Sequence, residues 1–384
     1  MKRYCAGWLL TLMICALCIT PYAFGDVTLS TGARYDIFTD NYSPKTVGYE
    51  FTAPVGLTYR WNALMLSVES AFSSANVFPG QGADAEITTV TDTRISASYL
   101  VPQPSFGLIF GADLNLPTGT ERLRNSQRIA EAGQNHDLFE IDDFGEGLNI
   151  GLSVGVAKAI HTLRLSVNTG YWFNGKYDPT RDIEDDDINP GDHIRVSGLL
   201  KWQVADWLDL ETSLGYSQLF TDRTNGQKTF RAGPKLRLGG SLHLRTRIRE
   251  PVDLITSFSM TLQDSNTILE GDTLKREPEN GNGTEIFGVV ELLYHATYRL
   301  TLRVLGDVRY YGESPRQDTA QSVPYEGRRL RFAAGPGFIY KPGARLALNG
   351  LVKYFVLHQD QDILQPNDST YRGVNLAVGL TYTF

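Results

Sequence analysis

The side chains that could do chemistry here are charges set on alternate positions. Over residues 229–248, Arg231, Lys235, Arg237, Arg245 and Arg247 share one parity, and Leu236, Leu238, Leu242 and Leu244 share the other. Arg299, Arg303, Arg329 and Arg331 continue the pattern in later segments, and Arg94 and Arg195 hold the equivalent parity in earlier ones. A two-residue period puts the two sets on opposite faces of a strand. Basic groups facing a water-filled path between low-dielectric walls would focus a field and favour anions. Acids of that parity are fewer and include Asp92, Asp113 and Asp307. The competing reading is that each Arg only pairs with an acid on the next strand. The 229–248 run has no acid of its own parity, so it carries the anion-path reading best. An acidic segment, Asp137, Glu140, Asp142, Asp143 and Glu146, is the natural counterpart.

Other chemistry finds no footing. The six histidines (His136, His161, His193, His243, His295, His358) are scattered, without a His-Glu-x-x-His pair. Asp185, Asp187 and Asn189 are spaced like a calcium loop, but Pro190 stands where Gly is needed and Val196 where a Glu is needed. No catalytic residue, metal or cofactor is expected. A net charge of −7 and a pI near 5.5 argue against a nucleic-acid partner.

The elements that must position these charges are strands. Val27, Leu29, Thr31, Ala33, Tyr35 and Ile37 alternate with Thr28, Ser30, Gly32, Arg34 and Asp36. Sixteen such segments run from 27–37 to 371–384, among them unbroken strands over 87–101 and 229–248. Short gaps such as Trp61-Asn62 and Asp206-Trp207 alternate with long polar ones, the longest over 115–147. A mean hydropathy of −0.22 excludes a helical membrane bundle, whose spans need about 20 apolar residues each. The pattern predicts an all-β fold, a transmembrane antiparallel up-and-down β-barrel of 16 strands (range 14–18). Short turns would be periplasmic and long loops extracellular. Sixteen strands enclose too wide a lumen for side chains to fill, so the apolar face must meet lipid.

Residues 1–25 read as a cleaved secretory signal peptide, and 26–384 as a single barrel. Lys2 and Arg3 precede a short apolar run from Trp8 to Ile19, then Pro21 and Ala23-Phe24-Gly25. Cys5, Cys15 and Cys18 all lie in this leader, leaving the mature chain without cysteine. Loss of Lys2 and Arg3 takes 36 basic residues to 34 against 43 acidic, a net −9.

The chain ends Gly379-Leu-Thr-Tyr382-Thr-Phe384. This resembles the assembly signal of bacterial outer-membrane barrels, and the resemblance implies recognition of Gly379, Tyr382 and Phe384 by the outer-membrane assembly machinery. The strand count resembles the general porins, whose third external loop folds into the lumen. Here the third loop is 115–147, and its acidic, Phe-Gly-containing end is similar in character to a porin constriction. Leu114-Asn-Leu-Pro117-Thr-Gly119, followed by Phe144-Gly-Glu-Gly147, is also similar to the outer-membrane transporter family associated with phenol degradation. The expected function is a pore in a Gram-negative outer membrane for passive transport of small hydrophilic, anionic solutes. The alternatives are a selective channel for small organic or aromatic compounds, and a plugged structural or adhesive barrel. Expected partners are outer-membrane lipid and lipopolysaccharide, the assembly machinery and small solutes. Both termini would be periplasmic, and monomer and homotrimer both stay open.

Overall fold

The computed structural model describes residues 25–41, 46–78, 84–120, 122–124, 127, 145–178, 188–246, 251–278, 280–313, 327–360 and 368–384. The proposed leader, apart from Gly25, lies outside these residues, as do Arg247, Asp137, Glu140, Asp142 and Asp143.

The barrel strands are β1 (Asp26–Thr39), β2 (Val47–Trp61), β3 (Leu64–Phe78), β4 in two pieces (Ala85–Val90 and Thr93–Pro102), β5 (Gly107–Leu116), β6 (Asn149–Ile160), β7 (Leu163–Asn174) and β8 (His193–Ala205). They continue as β9 (Leu208–Leu219), β10 (Lys235–Arg245), β11 (Val252–Gln263), β12 (Glu285–His295), β13 (Leu300–Tyr311), β14 (Arg329–Tyr340), β15 (Leu346–Gln359) and β16 (Ser369–Thr383). Each pairs antiparallel with its neighbour in sequence, and β1 closes on β16 from Thr28↔Thr383 to Thr39↔Arg372. Closure leaves no free edge, which a lipid environment requires. The sixteen expected strands are present once the two pieces of β4 are taken as one.

The side-chain period decides which face meets lipid. Leu152, Val154 and Val156 on β6, Val290 and Leu292 on β12, and Val374, Leu376 and Val378 on β16 all point outward, Val378 being 60% exposed. So continuous an exposed apolar surface is stable only against hydrocarbon. The C-terminal residues complete the seam. Phe384 donates its N–H to Val27 O at 2.9 Å, and its ring meets Tyr382 edge-on at 4.8 Å. Gly379 faces Gly32 across the closure, where a Cβ would collide with the Asn349 amide at 2.7 Å.

Two departures from the expected strands matter for function. The first is in β4. Phe72 pairs with Val90 but Glu69 with Arg94, so β4 carries one extra residue and bulges at Thr91-Asp92. A bulge re-aims side chains and flips the parity beyond it.

The second overturns the single strand expected over 229–248. It is broken at Ala232-Gly233-Pro234. Lys235 onward is β10, whereas Gln227–Arg231 belongs to a separate five-stranded sheet built from three loops. That sheet joins Ile188–Asn189, Asp222–Thr224, Gln227–Arg231, Thr267–Glu270 and Thr273–Arg276. Pro234 has no N–H to continue a ladder, so the strand must stop there. The hairpin tip Asn225-Gly226 has φ of 51° and 81°, the left-handed pair that a two-residue hairpin turn requires.

Candidate functional site

The β4 bulge places one carboxylate at the root of the longest loop. Asp92 Oδ1 accepts the N–H of Gly119 at 2.9 Å, and Oδ2 accepts the N–H of Glu146 at 2.9 Å and the Asn115 amide at 2.6 Å. The same Asn115 amide reaches Gly147 O at 2.9 Å. Both ends of the 117–148 connection are therefore tied to a single side chain, which is 8% exposed. Gly147 sits at φ 78°, a conformation that favours glycine. Beyond Gly119, Thr120 bonds Thr89 at 2.6 Å, and Leu123 packs on the inward-facing Ala75, Ala85 and Ile87. The described start of the third loop thus turns into the barrel.

Glu146 is thereby held above the lumen, where the basic wall faces it. Arg195 on β8 lies within electrostatic reach of Arg94 on β4 and Arg237 on β10, and of Asp113 on β5 and Glu146. Its guanidinium sits 4.9 Å over the ring of Trp172 on β7, and that ring stacks on His193 at 5.2 Å. The indole fits against the wall because its neighbours there are Gly151 and Gly170; a Cβ at Gly151 would meet Trp172 Nε1 at 2.2 Å. Arg195 thus has charges of both signs from four other elements around it. Beside them is a cavity of about 530 Å3 whose lining includes Arg34, Glu69, Asp92, Arg94, Asn115 and Glu146.

The other sequence-selected cations are placed differently. Lys235 and Arg237 open β10, both exposed, with Leu236 and Leu238 on the other face. Arg231 is not on the barrel wall; it lies in the five-stranded sheet and donates to Thr267 Oγ1 at 3.3 Å. Arg245, near the short-turn end of β10, binds Asp209 and the Asp206 carbonyl, so an acid on the next strand compensates it after all. Arg299 stands in the turn after β12, over Tyr298 at 4.9 Å, rather than on a strand. Arg303 pairs with Glu291 at 3.4 Å. Arg329 begins β14, over Tyr311 at 4.8 Å. Arg331 is 1% exposed, pairs with Asp307 at 3.2 Å and covers Phe355; Lys353 shares that carboxylate at 2.6 Å. Neighbouring Asp36 is held by Arg34 at 3.0 Å and by Asn375. Arg245, Arg303 and Arg331 therefore follow the cross-strand pairing reading and Arg94 has Glu69 as its register partner, while Arg195 and Arg237 face no acid on the flanking strands.

Sequence reasoning did not single out Trp172. Its inward parity between Gly151 and Gly170 is the signal that could have found it. No group of acids, histidines and cysteines able to hold a metal occurs among the described residues.

Asn115 and Gly119 meet Glu146 and Gly147 around Asp92, and the family described as "Putative MetA-pathway of phenol degradation" matches residues 24–274, about two thirds of the chain. The chain belongs to that family. The match runs from β1 into the last strand of the five-stranded sheet and takes in both ends of the third loop. No curated protein matches the chain. Among solved structures, Pseudomonas putida OprB aligns at 10% identity over 94% of each chain, with a TM-score of 0.46. The P. putida toluene transporter TodX aligns at 9% identity over 94% of this chain and 91% of that one, TM-score 0.41. An anion-selective porin from Comamonas acidovorans aligns at 13% identity over 93% of this chain and 99% of that one, TM-score 0.41. A closed sixteen-strand barrel with an apolar outer belt, in this family, is an outer-membrane β-barrel.

Proposed function

We propose that this barrel is a passive channel for small hydrophilic anions, with its long loops outside the cell and both termini in the periplasm. The observation that carries the reading is the grouping of Arg94 and Arg237 within electrostatic reach of Arg195, with Asp113 and Glu146 as the acidic members of the group. Arg195 and Arg237 have Ser217, Gly170, Gly215 and Thr261 as their partners on the flanking strands, so no acid faces them there, and low-dielectric walls focus the field of this basic stretch in the aqueous path. Asp92 fixes Glu146 by holding its backbone, so the acidic side of the field stays in register with the arginines. Conductance of the refolded chain in planar bilayers tests this. Under a salt gradient the reversal potential should report anion preference. A cation-preferring wild type would sink the proposal.

A second reading is favoured by Trp172, an aromatic ring on a glycine-lined stretch of wall beside Arg195. It is a selective channel for small aromatic solutes, which the family description accommodates. Conductance or flux that saturates with one aromatic solute, and loses saturation in Trp172→Ala, would favour it over an unselective pore.

A further inference from the structure

Arg231, in the five-stranded sheet, lies beside a groove outside the lumen. That groove has about 280 Å3 of space, and its lining includes Gln218, Phe220, Arg231, Pro234, Thr267 and Arg276. Its position on the outer face follows from parity. Tyr216, Leu236 and Leu262 are register partners across β9, β10 and β11, forming one lateral row on the lipid side. Gln218 shares that face, accepting the Tyr216 hydroxyl at 3.2 Å. Phe220 packs at 6.1 Å on Tyr171, whose neighbour Phe173 is exposed outward. Pro234 precedes Leu236 by two residues and Asp264 follows Leu262 by two, so both continue the same face. The groove thus opens at the upper margin of the apolar belt.

Above it runs a second lateral row. Arg231 pairs with Thr267, and Thr267 with Arg276, across three strands of the small sheet. Two guanidinium groups therefore flank one hydroxyl. Arg276 is engaged by Asp264 at 2.6 Å, whereas Arg231 has no carboxylate partner among the described residues. The groove has one uncompensated positive charge, donors suited to a phosphate, and an apolar floor continuous with the membrane belt. Arginine is the side chain that matches phosphate geometry best.

We infer that this groove binds the phosphorylated headgroup of an outer-leaflet glycolipid, its acyl chains lying along the Tyr216–Leu236–Leu262 row. The inference rests on the proposed orientation, with the loop side facing the cell exterior. A free anion would gain nothing from the apolar row. A protein partner needs about 1,000 Å2 of matched surface, far more than this cleft offers.

The test is native mass spectrometry of the full mature chain in detergent. The probes are a bisphosphorylated glucosamine-disaccharide lipid and the same lipid without phosphates. The phosphorylated lipid should bind roughly fivefold more tightly, since one uncompensated cation near an anionic lipid surface contributes about that factor. Arg231→Gln with Arg276→Gln should erase that preference, and Asp264→Asn should strengthen it. Arg231→Lys, which keeps the charge, serves if the double variant does not refold. It should retain a weakened preference. Equal binding of the two lipids, or a preference unchanged by the double variant, overturns the site. So does complete displacement by millimolar inorganic phosphate, which would mark a free-phosphate site instead. Bilayer conductance on the same samples separates this from the channel reading. A silent barrel that still discriminates the lipids keeps the groove and sinks the channel.

Discussion

Asp92 and Asn115 hold each other at 2.6 Å across the β4–β5 hairpin, and between them they tie both ends of the longest loop to the barrel wall. Asp92→Ala should therefore loosen the third loop without opening the barrel. It leaves two backbone N–H groups and one amide without their acceptor, at about 1–3 kcal/mol for each buried group left unsatisfied. Limited proteolysis should cut within 117–148 at lower protease concentration, while the heat-modifiable mobility of the barrel persists. Unchanged proteolysis would show that Asp92 does not anchor the loop.

Arg195→Gln with Arg237→Gln should shift the reversal potential in a salt gradient towards cation selectivity. Two of three clustered positive charges are removed, while Asp113 and Glu146 stay. Arg303→Gln, which disrupts a local Glu291 pair, should change selectivity much less. If the two substitutions have equal effects, the Arg195 cluster does not set permeation.

Arg331→Met should destabilise the barrel by about 1.5–3 kcal/mol, the usual contribution of one hydrogen bond to a charged group. Asp307 would keep Lys353 but lose the arginine, and Phe355 would lose its cover. The readout is the urea midpoint of unfolding in detergent. A change below about 1 kcal/mol, as for an exposed pair, would show that the network is solvated.

Deleting Phe384 should lower the yield of assembled barrel in the outer membrane. Its N–H bond to Val27 and its ring contact with Tyr382 help close the β1–β16 seam. Normal yield of the deletion would mean that the remaining register from Thr28 to Thr39 suffices for assembly.

The small sheet should tighten as pH falls. Burial raises the Asp222 carboxyl above its ordinary value, and the Gly191 N–H bond opposes that shift without cancelling it. A raised folded-state pKa means stability that is full at acid pH and lost as pH rises through that value. Amide protection in 222–231, corrected for intrinsic exchange, should fall from pH 4 to 7 in the wild type. The change should be smaller in Asp222→Asn, whose side-chain oxygen can still accept from Gly191. Equal pH dependence in both proteins would remove Asp222 as the cause.

Sequence alone determined the barrel. A side-chain period of two survives any tertiary arrangement, so Val374, Leu376 and Val378 declare a lipid face and Asn375 an inner one before any strand is paired. Alternating short and long gaps then set the antiparallel order and the count of sixteen. What the period could not carry was any place where the strand stops being regular. The extra residue at Thr91-Asp92 flips parity locally, and it appears only when β3 is laid beside β4. The break at Pro234 sends Arg231 out of the wall, although the dipeptides Asn225-Gly226 and Gly271-Asp272 have the residue types of hairpin tips. Which arginines pair and which cluster was likewise a tertiary decision. Asp209 and Arg245, or Asp307 and Arg331, sit on neighbouring strands but far apart in sequence. Parity names the face a charge is on, whereas only register names the charge beside it.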